Sequence, residues 1–161
     1  MRKGTCPQIA LLVVLCSLGI VATAYAHCQI PCGIYDDPAR ITAMTEHIKT
    51  IEKSMQQIKT LSGHSPQDNN QIVRWVMNKE KHADELAEII TYYFMAQRIK
   101  PAADVESEAY TKYVHELTLL HQMLQASMKS KQSVELAHVQ ELRSLLQKFG
   151  ESYLGPQAGP M

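Results

Sequence analysis

The sequence predicts an all-α protein, a four-helix bundle, on three observations. Apolar residues recur at spacings of three and four along four separate stretches, the pattern of helices that each bury one face. The 161 residues include only 7 Gly and 7 Pro, and aromatics make up 6%, which argues against a turn-rich sandwich or propeller. Hydrophobic residues reach 45%, enough to build a core. Lys and Arg number 16 against 16 Asp and Glu, so no bulk charge favours nucleic acid or an acidic membrane, and no nucleic-acid partner is expected.

The elements follow in order. Arg2 and Lys3 precede an apolar stretch from Ile9 to Val21 and then Ala24-Tyr25-Ala26, the order of a secretory signal peptide, with cleavage expected after Ala26. The apolar run falls short of the roughly 20 residues that span a bilayer, and no basic cluster follows it. The expectation is an exported protein, periplasmic or secreted, with no membrane segment in its mature form. Removing 26 of the 161 residues leaves 135, takes Cys6 and Cys16 away, and makes His27 the first residue, followed directly by Cys28. The organisation expected is a leader over 1–26, a metal-binding hook over 27–36, a bundle over 37–150 and a flexible tail over 151–161.

The first helix is expected from Pro38 to Leu61, with Ile41, Met44, Ile48, Ile51, Met55 and Ile58 as its seam. Asp37 and Pro38 supply the cap and first turn, and Ser62-Gly63 the stop. After a loop from Gly63 to Asp68, the second helix runs from Asn69 to Ile99 with Ile72, Val76, Ala83, Leu86, Ile90 and Tyr93 on one face, and Lys100-Pro101 ends it. The third starts at an Asp104 cap and carries Ala109, Tyr113, Leu117, Leu120, Leu124 and Met128; the fourth runs from Ser133 to Phe149 before Gly150. Short connections make antiparallel neighbours.

The chemistry concentrates in His27-Cys28-Gln29-Ile30-Pro31-Cys32-Gly33-Ile34-Tyr35, just ahead of the first helix. Two thiolates are soft ligands, while the α-amine and imidazole of His27 are borderline nitrogen donors. The amide nitrogen between His27 and Cys28 can also bind if a metal displaces its proton, and with the α-amine and the two thiolates it gives a near-planar set of two nitrogens and two sulfurs. Tetragonal donors of that kind suit nickel or copper better than tetrahedral zinc. Copper tends to oxidise paired thiols, and its N-terminal pattern wants a histidine where Gln29 stands, so nickel is preferred.

These residues resemble the nickel-dependent superoxide dismutases, whose mature chains begin H-C-x-x-P-C-G-x-Y: His27, Cys28, Pro31, Cys32, Gly33 and Tyr35 match. The likeness continues through Asn70-Gln71-Ile72-Val73-Arg74-Trp75, Lys79-Glu80-Lys81-His82-Ala83, Tyr92-Tyr93-Phe94 and Arg98-Ile99-Lys100-Pro101. It implies a right-handed four-helix bundle assembled as a homohexamer. It also implies one nickel ion per subunit, cycling between Ni(III) and Ni(II) to turn superoxide into dioxygen and hydrogen peroxide. By the same resemblance the metal ligands are His27, Cys28 and Cys32, with the His27 imidazole axial in the oxidised state, and Tyr35 and Tyr93 stand at the substrate's approach. Lys100 is a candidate for steering the anion. Two departures bear on tuning: Gln29 takes a place that can be Asp, and Thr42 stands where some members carry a Glu supporting the axial histidine. His82 or a backbone carbonyl is left to fill that supporting role.

Simpler readings compete. Cys28 and Cys32 in an exported chain can form a disulfide, though so short a loop contributes little through chain entropy. An exported metal-handling bundle without enzymatic activity is the alternative function. His47, His64, His115, His121 and His138 share no ligand spacing, except that His115 and His121 fall near one another, and read as surface or interface residues; the run Lys79 to Lys81 reads as a solvated or intersubunit face, and capping accounts for Asp36-Asp37.

Overall fold

The computed structural model describes residues 30–63 and 68–155. The leader, His27, Cys28, the centre of the first loop and residues 156–161 lie outside the described residues. Among the described residues every regular element is helical. No helix of these residues is long and apolar enough to cross a membrane. The unit that holds the bundle begins at Ile34.

Helix α1 spans Asp37–Leu61, and α2 spans Asn69–Glu88 and continues without a break as a π-helical stretch, Ile89–Arg98. Helix α3 spans Glu108–Gln132 and α4 spans Leu136–Leu154. Cross-helix bonds fix the arrangement. Ser54 meets Asn78 while Asp37 meets Arg98, so α1 and α2 are antiparallel. Ser127 meets the Ala83 carbonyl and Lys131 meets Asp84 across α2 and α3. Ser152 reaches Glu116 across α3 and α4, and Arg143 reaches Glu52 across α4 and α1. The four helices therefore run alternately up and down around one core.

All six seam residues expected of α1 are buried, and Ile41, Met44, Ile48, Ile51 and Met55 share one core with Leu86, Ile90, Phe94, Leu120, Met123, Leu142 and Phe149. Elsewhere the structure corrects the expected faces. In α2, Val76 is exposed and the core position one turn on is filled by Lys79, only 3% exposed. Its Nζ donates to the carbonyls of Ser130, at 2.7 Å, Ser133 and Lys131. The last carbonyls of a helix have no partner within it and attract a cation, so Lys79 is the C-terminal cap of α3 and no part of a solvated face. In α3, Ala109 and Met128 are exposed, while Glu116, Leu119, Leu120, Met123, Ala126, Ser127 and Ser130 face inward.

The helix ends also differ from expectation. Asp36 is the N-cap of α1, its side chain accepting from the Ala39 amide at 3.0 Å. Asp104 accepts from the Glu106 amide in a turn, and Ser107 then caps α3 by accepting from the Tyr110 amide. Ser133 holds the Glu135 amide in the short α3–α4 turn, so α4 starts at Leu136. Helix α4 passes through the buried Gly150 to Leu154, because Tyr153 stacks on Phe149, and it ends at Gly155, whose φ of 86° suits a residue without a Cβ.

Candidate functional site

The site grows from the start of α1 and the end of the π-helical stretch. A π-helix bonds five residues back, as in Ile99 N to Phe94 O at 2.8 Å. That repeat sets Tyr93 and Arg98, five apart, side by side facing Asp37 of α1. Tyr93 Oη donates to Asp37 Oδ1 at 2.6 Å. Arg98 donates from Nε to Oδ1 at 2.8 Å and from Nη2 to Oδ2 at 2.6 Å, a bidentate pair. Tyr153, from the last turn of α4, donates to Oδ2 at 3.0 Å. One carboxylate thus gathers three elements.

The charges follow from this geometry. Burial works to raise the Asp37 carboxyl, but the hydrogen bonds from Arg98, Tyr93 and Tyr153 outweigh it and hold the group below the usual carboxylate range. Tyr93 and Tyr153 are both pushed up to about 12, by burial first and then by the bond each makes to Asp37. Both phenols are therefore neutral donors at neutral pH.

Tyr35 stands on the outer side of this cluster. Its ring meets Tyr93 edge-on, with centroids 5.9 Å apart and planes at 79°. The Arg98 guanidinium lies 4.4 Å from the Tyr35 centroid, and that of Arg40 lies 5.0 Å from the Tyr93 centroid. Tyr35 Oη donates to Gln97 Oε1 at 3.4 Å, and Gln97 in turn donates to the Tyr92 carbonyl. Tyr35 is 39% exposed against 3% for Tyr93, so the outer phenol meets solvent while the inner one is committed to Asp37.

The structure brings Tyr35 and Tyr93 together as a pair. Of the three expected metal ligands, Cys32 is described and exposed, between a cis Ile30–Pro31 bond and Gly33 with φ 78°. His27 and Cys28 lie outside the described residues. Lys100 is exposed, two residues beyond Arg98. Thr42 bonds its hydroxyl to the Pro38 carbonyl within α1. Sequence reasoning missed the roles of Asp37, Arg98 and Tyr153. The available signal was a second aspartate beside Asp36 where one suffices for a cap.

A second cluster lies farther along the same helix pair, where His47, expected at the surface or an interface, is packed between α1 and α2 with its side chain 17% exposed. His47 Nδ1 of α1 is 2.8 Å from His82 Nδ1 of α2, and Glu85 Oε2 is 3.5 Å from the first and 3.3 Å from the second. Burial lowers the pKa of His47, the nearby Glu85 carboxylate opposing and His82 adding to the shift. His115 and His121 are exposed, and among the described residues His138 has Glu135 within ion-pair range, at 4.0 Å.

Residues 22–156 match the family model described as nickel-containing superoxide dismutase. Neither a curated protein nor a solved structure gives a significant match to the chain.

Proposed function

The chain belongs to the nickel-containing superoxide dismutase family, and from that premise we propose which of its residues carry the activity. The reaction is the disproportionation of superoxide: two superoxide anions and two protons give dioxygen and hydrogen peroxide. The observation that carries the assignment is the family match, which takes in both the hook and the tyrosine pair.

His27, Cys28 and Cys32 would hold one nickel ion per chain. The donor chemistry fits, since two thiolates with an amine and an imidazole are soft to borderline ligands suited to tetragonal nickel, and the one such donor among the described residues, Cys32, is exposed. When bound, nickel supplies the one-electron couple that exchanges with superoxide. The chain's own residues handle the substrate. Arg98 spends its charge on Asp37, whereas Arg40, over the Tyr93 ring, offers positive potential to an arriving anion. Asp37 fixes the Tyr93 phenol and keeps its proton in place. Tyr35, weakly held by Gln97, presents an exposed hydroxyl that can hydrogen-bond superoxide or the departing peroxide.

Cleavage after Ala26 frees the His27 amine in this reading, and the mature chain is exported. Homohexamer assembly belongs to the same reading; among the described residues Val73 and Met77, four apart on α2 and 55% and 67% exposed, offer apolar surface to another copy. The deciding experiment compares nickel-reconstituted protein starting at His27 with the same protein retaining Ala26. We expect the first to turn over superoxide and the second to fall to background, because one added residue makes the amine an amide. Equal activity in both overturns the ligand assignment, and nickel binding without turnover in the first overturns the catalytic roles.

A further inference from the structure

We propose that His47, His82 and Glu85 form a second metal site that takes one zinc-type divalent transition ion per chain, separate from the hook. Three donor atoms converge there, His47 Nδ1, His82 Nδ1 and Glu85 Oε2, with mutual separations of 2.8, 3.5 and 3.3 Å. Ligands at the usual zinc distances of about 2.0–2.2 Å in tetrahedral geometry sit roughly 3.4 Å apart. Two of the three separations already match, and the third needs the imidazoles to part by about half an ångström.

The backbone explains the convergence. His82 and Glu85 are three apart on α2 and so share a face, and the antiparallel pairing sets His47 of α1 opposite them. Glu85 divides its oxygens: Oε1 is 3.6 Å from Lys81 Nζ, while Oε2 turns to the histidines. Without a cation, a single ring proton can lie between the two Nδ1 atoms, so two imidazole nitrogens and the Glu85 Oε2 share one proton. A cation satisfies all three at once, with the ring protons on Nε2 facing away. Two imidazoles and a carboxylate form a set known for zinc with a water in the open position, and they disfavour calcium and magnesium, which want oxygen ligands only. Side-chain exposure rises from 17% at His47 through 24% at His82 to 35% at Glu85, which leaves a way in and a place for that water. Ten residues of helix separate His47 from Asp37, about 15 Å along α1, so this is a different place from the tyrosine pair.

The test titrates zinc into the nickel-loaded protein and follows uptake by calorimetry and metal analysis. We expect one further equivalent per chain with nickel retained, and a higher melting temperature in zinc. Cobalt in place of zinc should give the strong visible absorption of a four-coordinate ion. Glu85→Gln, conservative and at a half-exposed position, should weaken zinc by more than about tenfold, and His82→Ala should abolish the cobalt signal and the zinc-dependent melting shift. A Cys28→Ser, Cys32→Ser chain should still take up the equivalent. No second equivalent in the parent, or equal uptake by both Glu85→Gln and His82→Ala, overturns the proposal; so does loss of the equivalent with the two cysteines, which assigns it to the hook.

Discussion

Asp37 and Glu85 are both carboxylates at the α1–α2 contact, and they are treated differently. Asp37 accepts four hydrogen bonds from Arg98, Tyr93 and Tyr153, all at 3.0 Å or less. Glu85 has its nearest cationic or imidazole partner at 3.3 Å and keeps more than twice the side-chain exposure of Asp37, 35% against 15%. Charge-assisted bonds at full count fix a geometry, whereas a carboxylate with spare lone pairs facing two imidazoles keeps capacity for a ligand. The first organises the tyrosine pair, and the second holds binding capacity in reserve.

The largest expected effect follows from emptying the saturated position. Asp37→Ala leaves Arg98, the buried Tyr93 phenol and the half-buried Tyr153 phenol without their acceptor and should cost about 2–4 kcal/mol, read as a drop in the urea midpoint. A loss under about 0.5 kcal/mol would dissolve the contrast. Next comes pH. The folded-state pKa of Asp37 is lowered, so the folded chain holds fewer protons there than the unfolded one just below about 3.9. Its contribution is complete above that value and fades as pH falls through the lower folded value, a slope that Asp37→Asn should remove from acid unfolding curves. At the alkaline end Tyr93 and Tyr153 reach about 12 against about 10 unfolded. Stability from them should decline between roughly pH 10 and 12, and their phenolate absorbance should rise only as pH nears 12. In metal-free protein Glu85→Gln should cost less than about 1 kcal/mol, as for other part-exposed ion pairs; a loss as large as that of Asp37→Ala would mean that Glu85 too is structural. Smallest is Tyr35→Phe, which removes one 3.4 Å bond at an exposed ring and should stay within about 0.5 kcal/mol, so any larger fall in turnover reports on substrate handling.

The four helices and the α1 seam were legible because Ile41 to Ile58 form an unbroken apolar stripe, and such a stripe has one stable place. Helix α3 was legible in part: Leu120 is in the core and Tyr113, Leu117 and Leu124 pack against it, but Ala109 and Met128 are exposed, and the inward Glu116, Ser127 and Ser130 carry no hydrophobic signal. The pairing of Tyr35 with Tyr93 was accessible only through the family resemblance, which carries Tyr35 in the hook and Tyr93 in the separate stretch Tyr92-Tyr93-Phe94. The carboxylate beneath them was not, since its partners stand 56, 61 and 116 positions away, and the π-helical repeat that aligns Tyr93 with Arg98 breaks the spacing a helix reader counts. His47 and His82 likewise meet across 35 positions, which no local spacing records.

Lys79 has one more consequence. By holding the final carbonyls of α3 from within α2, it makes the closing turn of one helical hairpin depend on a side chain of the other. Neither hairpin can then fray at that end independently. Amides around Ser130 to Ser133, beside a loop and otherwise candidates for early exchange, should be released only when the whole bundle opens. The two hairpins would thus exchange deuterium as a single cooperative unit.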